Sequence, residues 1–427
     1  MNEQRTIKQK LILGIQHTLA MFGATVLVPA ITGLNTSITL FCAGVGTLLF
    51  HLITKKKVPV FLGSSFAFMA GIQAIIGDAR MSSDEAVYLD RLAAVKGALI
   101  VSGLVYALFA LLIKIFGYEK VNKLLPPIVT GPIIIVIGLR LSASAIGNAF
   151  YYDGAFSLKA VLVTVCVLAT IIIISVYAKG IFNLMPILFA IIVGYLVCLP
   201  LGFCDFTAVK QATWFSFADP QIYKQLLCVP TFRADAILAI APIALVTMIE
   251  HVGDITTNGA VVGKNFMEDP GVHRTLLGDG VATAVAGLLG GPANTTYGEN
   301  TGVLAVTKVY DPAVIRIAAC FAVILGIVGK FGGFISSIPG PVTGGISIVL
   351  YGMISAVGVR IIVNERLNFG NSRNLLVAAI ILVLGIGCDS IPVYGSVTIS
   401  GLALAAVVGI ILAVILPEGK DNVIEEP

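Results

Sequence analysis

Apolar runs dominate the chain, each about as long as a bilayer is thick and separated from the next by a short polar break. A membrane helix needs about 20 apolar residues. On that measure the pattern predicts crossings near 11-33, 36-54, 58-77, 93-116, 121-142, 157-178, 181-203, 235-254, 272-290, 292-308, 311-333, 339-362, 372-388 and 396-416, fourteen segments in all. Segments 58-77 and 292-308 are short or interrupted, as broken crossings are. The second is the least membrane-like part of the chain. Thr295-Thr296-Tyr297 suits an extended strand, and Thr301 to Val306 can close a short helix. Non-helical backbone is tolerated at membrane depth only where it is buried in protein or lines a cavity, so the N–H and C=O groups freed here are open to a ligand. Glu299 stands at the break. A carboxylate at that depth is costly and usually faces a substrate or ion path.

Composition narrows the class. Hydrophobic residues make up 57% of the 427 and charged residues 12%, a balance that excludes a soluble domain and fits a polytopic helical membrane protein. The 45 glycines allow close helix packing and chain breaks. A net charge of +4 makes no case for nucleic acid. The seven cysteines have no C-x-x-C spacing and read as small core residues, not metal ligands, although Cys204 and Cys228 flank an external loop where pairing is open. Met1 to Lys10 is short and charged, and the apolar run after it is too long for a cleaved signal peptide, so it reads as the first crossing.

Charge placement sets the orientation. With the N-terminus inside, the connections at Lys55-Lys56-Lys57, Lys114 to Lys123, Lys179, Lys264 to Arg274, Lys308 to Arg316 and Arg360 to Arg373 all fall in the cytoplasm, with most of the Lys and Arg. That agrees with the positive-inside rule and puts the C-terminal tail, 418-427, inside as well. Loop 78-92, with Asp78, Asp84, Glu85 and Asp90, falls outside.

A repeat runs through the pattern. Pro126-Pro127-Ile128-Val129-Thr130-Gly131-Pro132 in segment 5 matches Pro339-Gly340-Pro341-Val342-Thr343-Gly344-Gly345 in segment 12. Seven is odd, so the halves insert with opposite orientation. In such inverted repeats the corresponding broken segments meet near the midplane and form the site. Segment 10 then pairs with segment 3, where Gly63-Ser64-Ser65-Phe66-Ala67-Phe68 interrupts an apolar run.

Segment 8 carries Thr247-Met248-Ile249-Glu250-His251-Val252-Gly253-Asp254. Glu250 and Asp254 are four apart and share a helix face. Glu250 follows an unbroken apolar run and reads as deep, Asp254 as nearer the cytoplasmic end. If Glu250 and Glu299 converge out of water, each disfavours the other's charge, which supplies a route for carrying a proton. His17 on the first segment is a proton-coupling candidate beside Glu250 and Asp254, its plainer role being an interhelical hydrogen bond. The same plain reading suits His251, while His51 and His273 read as cytoplasmic and Asp279 as structural. Two carboxylates, backbone N–H groups at Ala67 and Gly298 and the Phe66 ring suit a planar heterocycle with adjacent N–H donors and C=O acceptors. Uracil is one such ring, though these groups alone also admit other amides and cations. Gly298 beside Glu299 lets a ligand approach the backbone. No nucleophile-base pair, metal set or phosphate loop points to an enzyme, and nothing calls for a cofactor.

These residues carry a resemblance over nearly the whole chain. Gln16-His17 with Ala20 to Pro29, Leu62 to Phe68, Glu250-His251-Val252-Gly253, Asp269-Pro270-Gly271-Val272-His273-Arg274 and Glu299-Asn300-x-Gly302-x4-Thr307-Lys308 resemble the nucleobase/ascorbate transporters, also called nucleobase:cation symporter 2, and within them the bacterial uracil permeases. The resemblance implies an all-α fold of fourteen crossings in a seven-plus-seven inverted repeat, with short strands in broken segments 3 and 10. It implies a core domain (1-116 and 235-334) and a gate domain (117-204 and 335-417), with an external loop at 205-234. By matching position, Phe66, Glu250, Gly298 and Glu299 would contact uracil. Purine-transporting relatives usually carry Gln where this chain has Glu299, and some uracil permeases carry His where it has Asp254, which bears on the proton route. The expected protein is a uracil:proton importer of the inner membrane, dimeric through its gate domain. A purine or broader pyrimidine permease is the alternative, with a facilitator or anion carrier of the same fold behind it. An anion site would want a basic residue at the midplane, and segments 3, 8 and 10 have none.

Overall fold

The computed structural model describes residues 6–77, 84–119, 126–180, 182–394 and 397–417. Asp78, Lys123 and the tail 418-427 lie outside them.

The chain is mostly helical, and local signals in the sequence set most helix ends. Thr6 and Gln9 form a reciprocal capping box at the start of α1 (Ile7–Thr32), and Gly33, at φ 81°, ends it. The Asn35 side chain caps α2 (Thr36–Ile53). The next expected crossing is broken into β1 (Leu62–Ser64) and α3 (Met69–Ile76). Helix α4 (Glu85–Phe116) starts eight residues before the expected segment at 93, so most of the supposed loop 78-92 is helix: Asp84 caps it, and Glu85 in the first turn suits the helix dipole.

Then come α5 (Pro127–Arg140), α6 (Ser142–Phe150), a β2–β3 hairpin (Tyr151–Tyr152 with Ala155–Phe156), α7 (Leu158–Tyr177) and α8 (Pro186–Leu201). The segment 205-234 folds into two short helices, α9 (Thr207–Gln211) and α10 (Pro220–Leu227). Helices α11 (Ala234–Ile240) and α12 (Ile243–Val262) follow. Because Ile255 to Val262 continues the helix to Gly263, Asp254 lies within it and not at a frayed cytoplasmic end.

Helix α13 (Val272–Leu289) leads to the second broken segment, β4 (Asn294–Thr296) and α14 (Gly298–Thr307). Helices α15 (Pro312–Ile327), α16 (Gly329–Ser336), α17 (Gly340–Asn364) and α18 (Ser372–Gly387), the hairpin β5–β6 (Ser390–Tyr394 with Val397–Ser400) and α19 (Gly401–Ile415) complete the chain. Among the described residues, seven spans are long and apolar enough to cross a membrane, with α5–α6 and α11–α12 each counted as one continuous helix; the other expected segments are α13, shorter apolar helices or strand-helix pairs.

Strands β1 and β4 pair antiparallel, with Leu62 opposite Thr296, Gly63 opposite Thr295 and Ser64 opposite Asn294. The most extensive helix packing falls into two sets. In one, α13 packs on α4 and α2, and α15 on α2 and α1; in the other, α17 packs on α5, α6 and α7, and α18 on α19 and α5. Outward faces are apolar: Ile172 on α7, Val383 on α18 and Val414 on α19 are all more than half exposed, as residues facing lipid would be. Cys204 and Cys228 do not pair. Each thiol lies against a backbone carbonyl, of Tyr195 and Leu89 respectively.

Helices α5 and α17 cross so closely that a Cβ on Gly358 would lie 2.6 Å from the Gly131 carbonyl oxygen and 2.8 Å from the Ile135 nitrogen. Backbone cannot yield as a side-chain tip can. Gly358→Val is expected to destabilise the protein by about 1–3 kcal/mol through overpacking. Thermal melting in detergent should fall by several degrees, whereas Gly147→Ala, where a Cβ meets nothing within 4 Å, should melt as wild type does.

Candidate functional site

Two broken segments need outside help, because short strands leave their flanking polar groups unpaired in a medium without water. Neighbouring helices supply it. The Leu62 N–H donates to Thr47 Oγ1 on α2 (2.9 Å), and Asn294 Nδ2 donates to the Cys42 carbonyl (3.1 Å). Thr283 on α13 donates to the Asn294 carbonyl (3.0 Å) and accepts from the Asn294 N–H (3.2 Å). The Tyr297 ring covers Gly63, where a Cβ would overlap it; its hydroxyl donates to the Ser64 carbonyl (2.9 Å) and accepts from Thr25 on α1 (3.4 Å). Tyr297 thus ties α1, β1 and β4 together.

A cavity of about 140 Å³ opens beside this crossing. One wall is Phe66, Ala67, Val246, Glu250 and Glu299; the other is Ile134 and Ile137 of α5 with Leu350, Met353, Ile354 and Val357 of α17. Glu250 reaches it from α12 and Glu299 from the first turn of α14. Gly298 stands beside Glu299, solvent-accessible, and a Cβ there would meet nothing within 4 Å. No side chain caps α14 or α3 at its N-terminus. First-turn N–H groups lack partners inside a helix, so both helices offer donors, and the positive ends of their dipoles, where the strands end.

Phe66, Ala67, Glu250 and Glu299 therefore line one cavity, with Gly298 at its edge. Asp254 and His17 are outside the lining. Thr296 Oγ1 donates to Asp254 Oδ2 (2.6 Å), which fixes the end of β4 to α12. Asn300 Nδ2 donates to His17 Nδ1 (3.1 Å) and to the His17 carbonyl (3.0 Å), so the ring proton belongs on Nε2, a buried atom with no partner among the described residues. His251 Nδ1 pairs with Asp279 Oδ2 (2.8 Å), both fully buried, which is the interhelical contact expected of them. His51 is fully buried, and its Nε2 meets the Val60 carbonyl (3.0 Å), because the chain after Thr54 folds back over α2.

Residues 8–393 match the model of a family described as "Permease family". The chain belongs to this permease family. It is 45% identical to the uracil permease of Bacillus caldolyticus, over 99% of this chain and 96% of that protein. Against the uracil permease of Bacillus subtilis strain 168 the figures are 42%, 96% and 92%, and against that of Escherichia coli K12 they are 36%, 97% and 92%. Among solved structures, the transmembrane domain of a cyanobacterial bicarbonate transporter, BicA, shares the fold at a TM-score of 0.62 and 15% identity, covering 96% of this chain and 98% of that one. The murine anion transporter Slc26a9 in its inward-facing state does so at 0.70 and 9%, covering 97% and 69%.

The apolar wall of this permease escaped the reading of its sequence. Ile134 follows the repeated motif of segment 5 by two residues, but nothing in one sequence says which face of a largely apolar helix meets the cavity. The Asp254–Thr296 and His17–Asn300 contacts also need three dimensions to be seen. Tyr297→Phe removes the donor to the Ser64 carbonyl and should cost about 1–3 kcal/mol. A lowered melting temperature together with weakened ligand binding would show that Tyr297 holds the crossing in shape; an unchanged melt would remove it from that role.

Proposed function

We propose that this permease imports uracil with a proton, by movement of a core domain (1-116 and 235-334) against a gate domain (117-204 and 335-417). The observation that carries the reading is the cavity between the two packed helix sets, where Glu250, Glu299, Phe66, Ala67 and Gly298 come together. A pyrimidine-dione matches these groups. Its ring N–H groups suit the carboxylates, its carbonyls suit backbone N–H at Ala67 and Gly298, and its face suits Phe66. Relatives named uracil permease at 36–45% identity support the same substrate.

Proton coupling rests on the carboxylates. No basic residue lines the cavity to neutralise Glu250 and Glu299, so a proton held by one of them removes their repulsion. Asp254 and His17, one contact away, are the neighbours through which it would pass. The anion-carrier alternative is disfavoured by the same fact, since two carboxylates repel an anion. In this reading the shorter helices and the two strand-helix units bring the crossings to fourteen, and the antiparallel β1–β4 pair suits an inverted repeat. The protein would sit in the inner membrane with both termini cytoplasmic, as a homodimer joined through the gate domain.

Labelled uracil uptake into proteoliposomes, with and without an inward proton gradient, tests the reading. Accumulation driven by the gradient is expected, with xanthine a poor competitor; uptake that only equilibrates would make the protein a facilitator, and block by xanthine would place it among purine carriers. Glu299→Gln should weaken uracil binding roughly a hundredfold by removing a charged acceptor. Near-normal uptake in that variant would take Glu299 out of the site. Phe66→Ala should cost roughly three- to tenfold in affinity through lost ring contact, and an unaltered Kd would mean that the ring does not stack.

A further inference from the structure

The two walls of the cavity differ in kind. Both carboxylates and the broken-segment backbone lie on one side, while the facing residues of α5 and α17 offer no hydrogen-bonding side chain. A pyrimidine-dione is divided in the same way. N1–H, C2=O, N3–H and C4=O follow one another around the ring, and C5–H and C6–H form the remaining, apolar edge. If the polar positions face Glu250, Glu299 and Gly298, as the uracil reading on which this inference rests requires, the C5–C6 edge turns toward α17.

The residues of that wall are not equally fixed. Ile137 and Leu350 are buried, at 1% and 4% exposure, and are held by their own packing. Met353 is 48% exposed, and Val357, one turn further along α17, is half-buried. An unbranched thioether side chain fills irregular space and re-forms readily.

We propose that Met353, with Val357 beside it, determines specificity at the C5–C6 edge by limiting the size of the group the site accepts there. Xanthine is the same dione with an imidazole ring fused across that edge, so the contact that measures a C5 substituent also excludes the purine. On this basis Glu250 and Glu299 select the dione, and α17 selects the single ring. A methylene-sized change in an apolar pocket shifts discrimination by about 10–200-fold, enough to separate the two classes.

The test is competition of labelled uracil binding to the purified full-length protein by uracil, thymine, 5-bromouracil and xanthine, read as ratios of apparent affinity so that a general loss of binding cancels. In Met353→Ala the 5-bromouracil and xanthine ratios to uracil are expected to improve by at least about tenfold. In Val357→Phe the thymine ratio should worsen by a similar factor, and this variant carries the test if the first does not fold. Ratios that stay at wild-type values in folded Met353→Ala and Val357→Phe proteins overturn the inference alone. A folded wild-type protein that does not bind uracil overturns the substrate reading and the inference with it.

Discussion

Three pairs of residues in antiparallel register, Leu62 with Thr296, Gly63 with Thr295 and Ser64 with Asn294, hold the centre of this protein. The constraint behind them is the absence of water: a backbone polar group left unpaired in the hydrocarbon region costs several kcal/mol. Each broken segment is untenable alone, and the two satisfy each other. The surrounding polar side chains serve that pairing. Thr47, Thr283, Asn294 and Tyr297 are all buried, and each completes a hydrogen bond at a strand or a strand end. The site adjoins this pairing: Phe66 and Ala67, just after β1, and Glu299, in the first turn of α14 just after β4, line one cavity.

The solved structures that share this fold are described as bicarbonate and anion transporters. Two positive helix ends would suit an anion. Here Glu299 occupies the first turn of α14 and Glu250 faces the same cavity, so the dipoles are already met by carboxylates belonging to the protein. The scaffold is shared; the charge placed on it decides what can bind. At 9–15% identity the likeness extends to the fold and no further.

The same contrast explains what the sequence could disclose. Apolar runs interrupted by polar residues are costly in a membrane, so Phe66, Glu250, Gly298 and Glu299 stood out against their surroundings and the extended stretch at Thr295-Thr296 was legible, whereas the strand in segment 3 came only from the family resemblance. Helix ends were legible where a cap or glycine marks them, as at Gly33 and Gly263. Legibility failed where a charged residue is compatible with helix, as in the first turns of α4. It failed again at His51 and Asp254, whose polar side chains look solvated until the folded chain supplies Val60 and Thr296 as partners. On the apolar middle of a helix such as α17 the cavity-facing residues differ from the lipid-facing ones in nothing the sequence records.

Two lysines bear on how the segment 205-234 is held. Lys96 on α4 is fully buried, and its ammonium donates to the carbonyls of Gln225, Leu226 and Cys228 at the end of α10. Lys330 on α16 does the same for Val209 and Lys210 at the end of α9. A buried charge that loses its partners is left uncompensated at a cost of about 3–5 kcal/mol, whereas favourable cation–helix-end contacts are what hold these loop helices down. The Thr231 N–H adds a bond to the Ala93 carbonyl and Ser216 a bond to that of Gly326, both in the set built on α2, α4, α13 and α15. The segment 205-234 is therefore fastened to the set beside which Glu250 and Glu299 lie. Its link to the other set is the chain after α8, where Gly202, at φ 78°, ends the helix and its N–H bonds back to the carbonyls of Cys198 and Leu199.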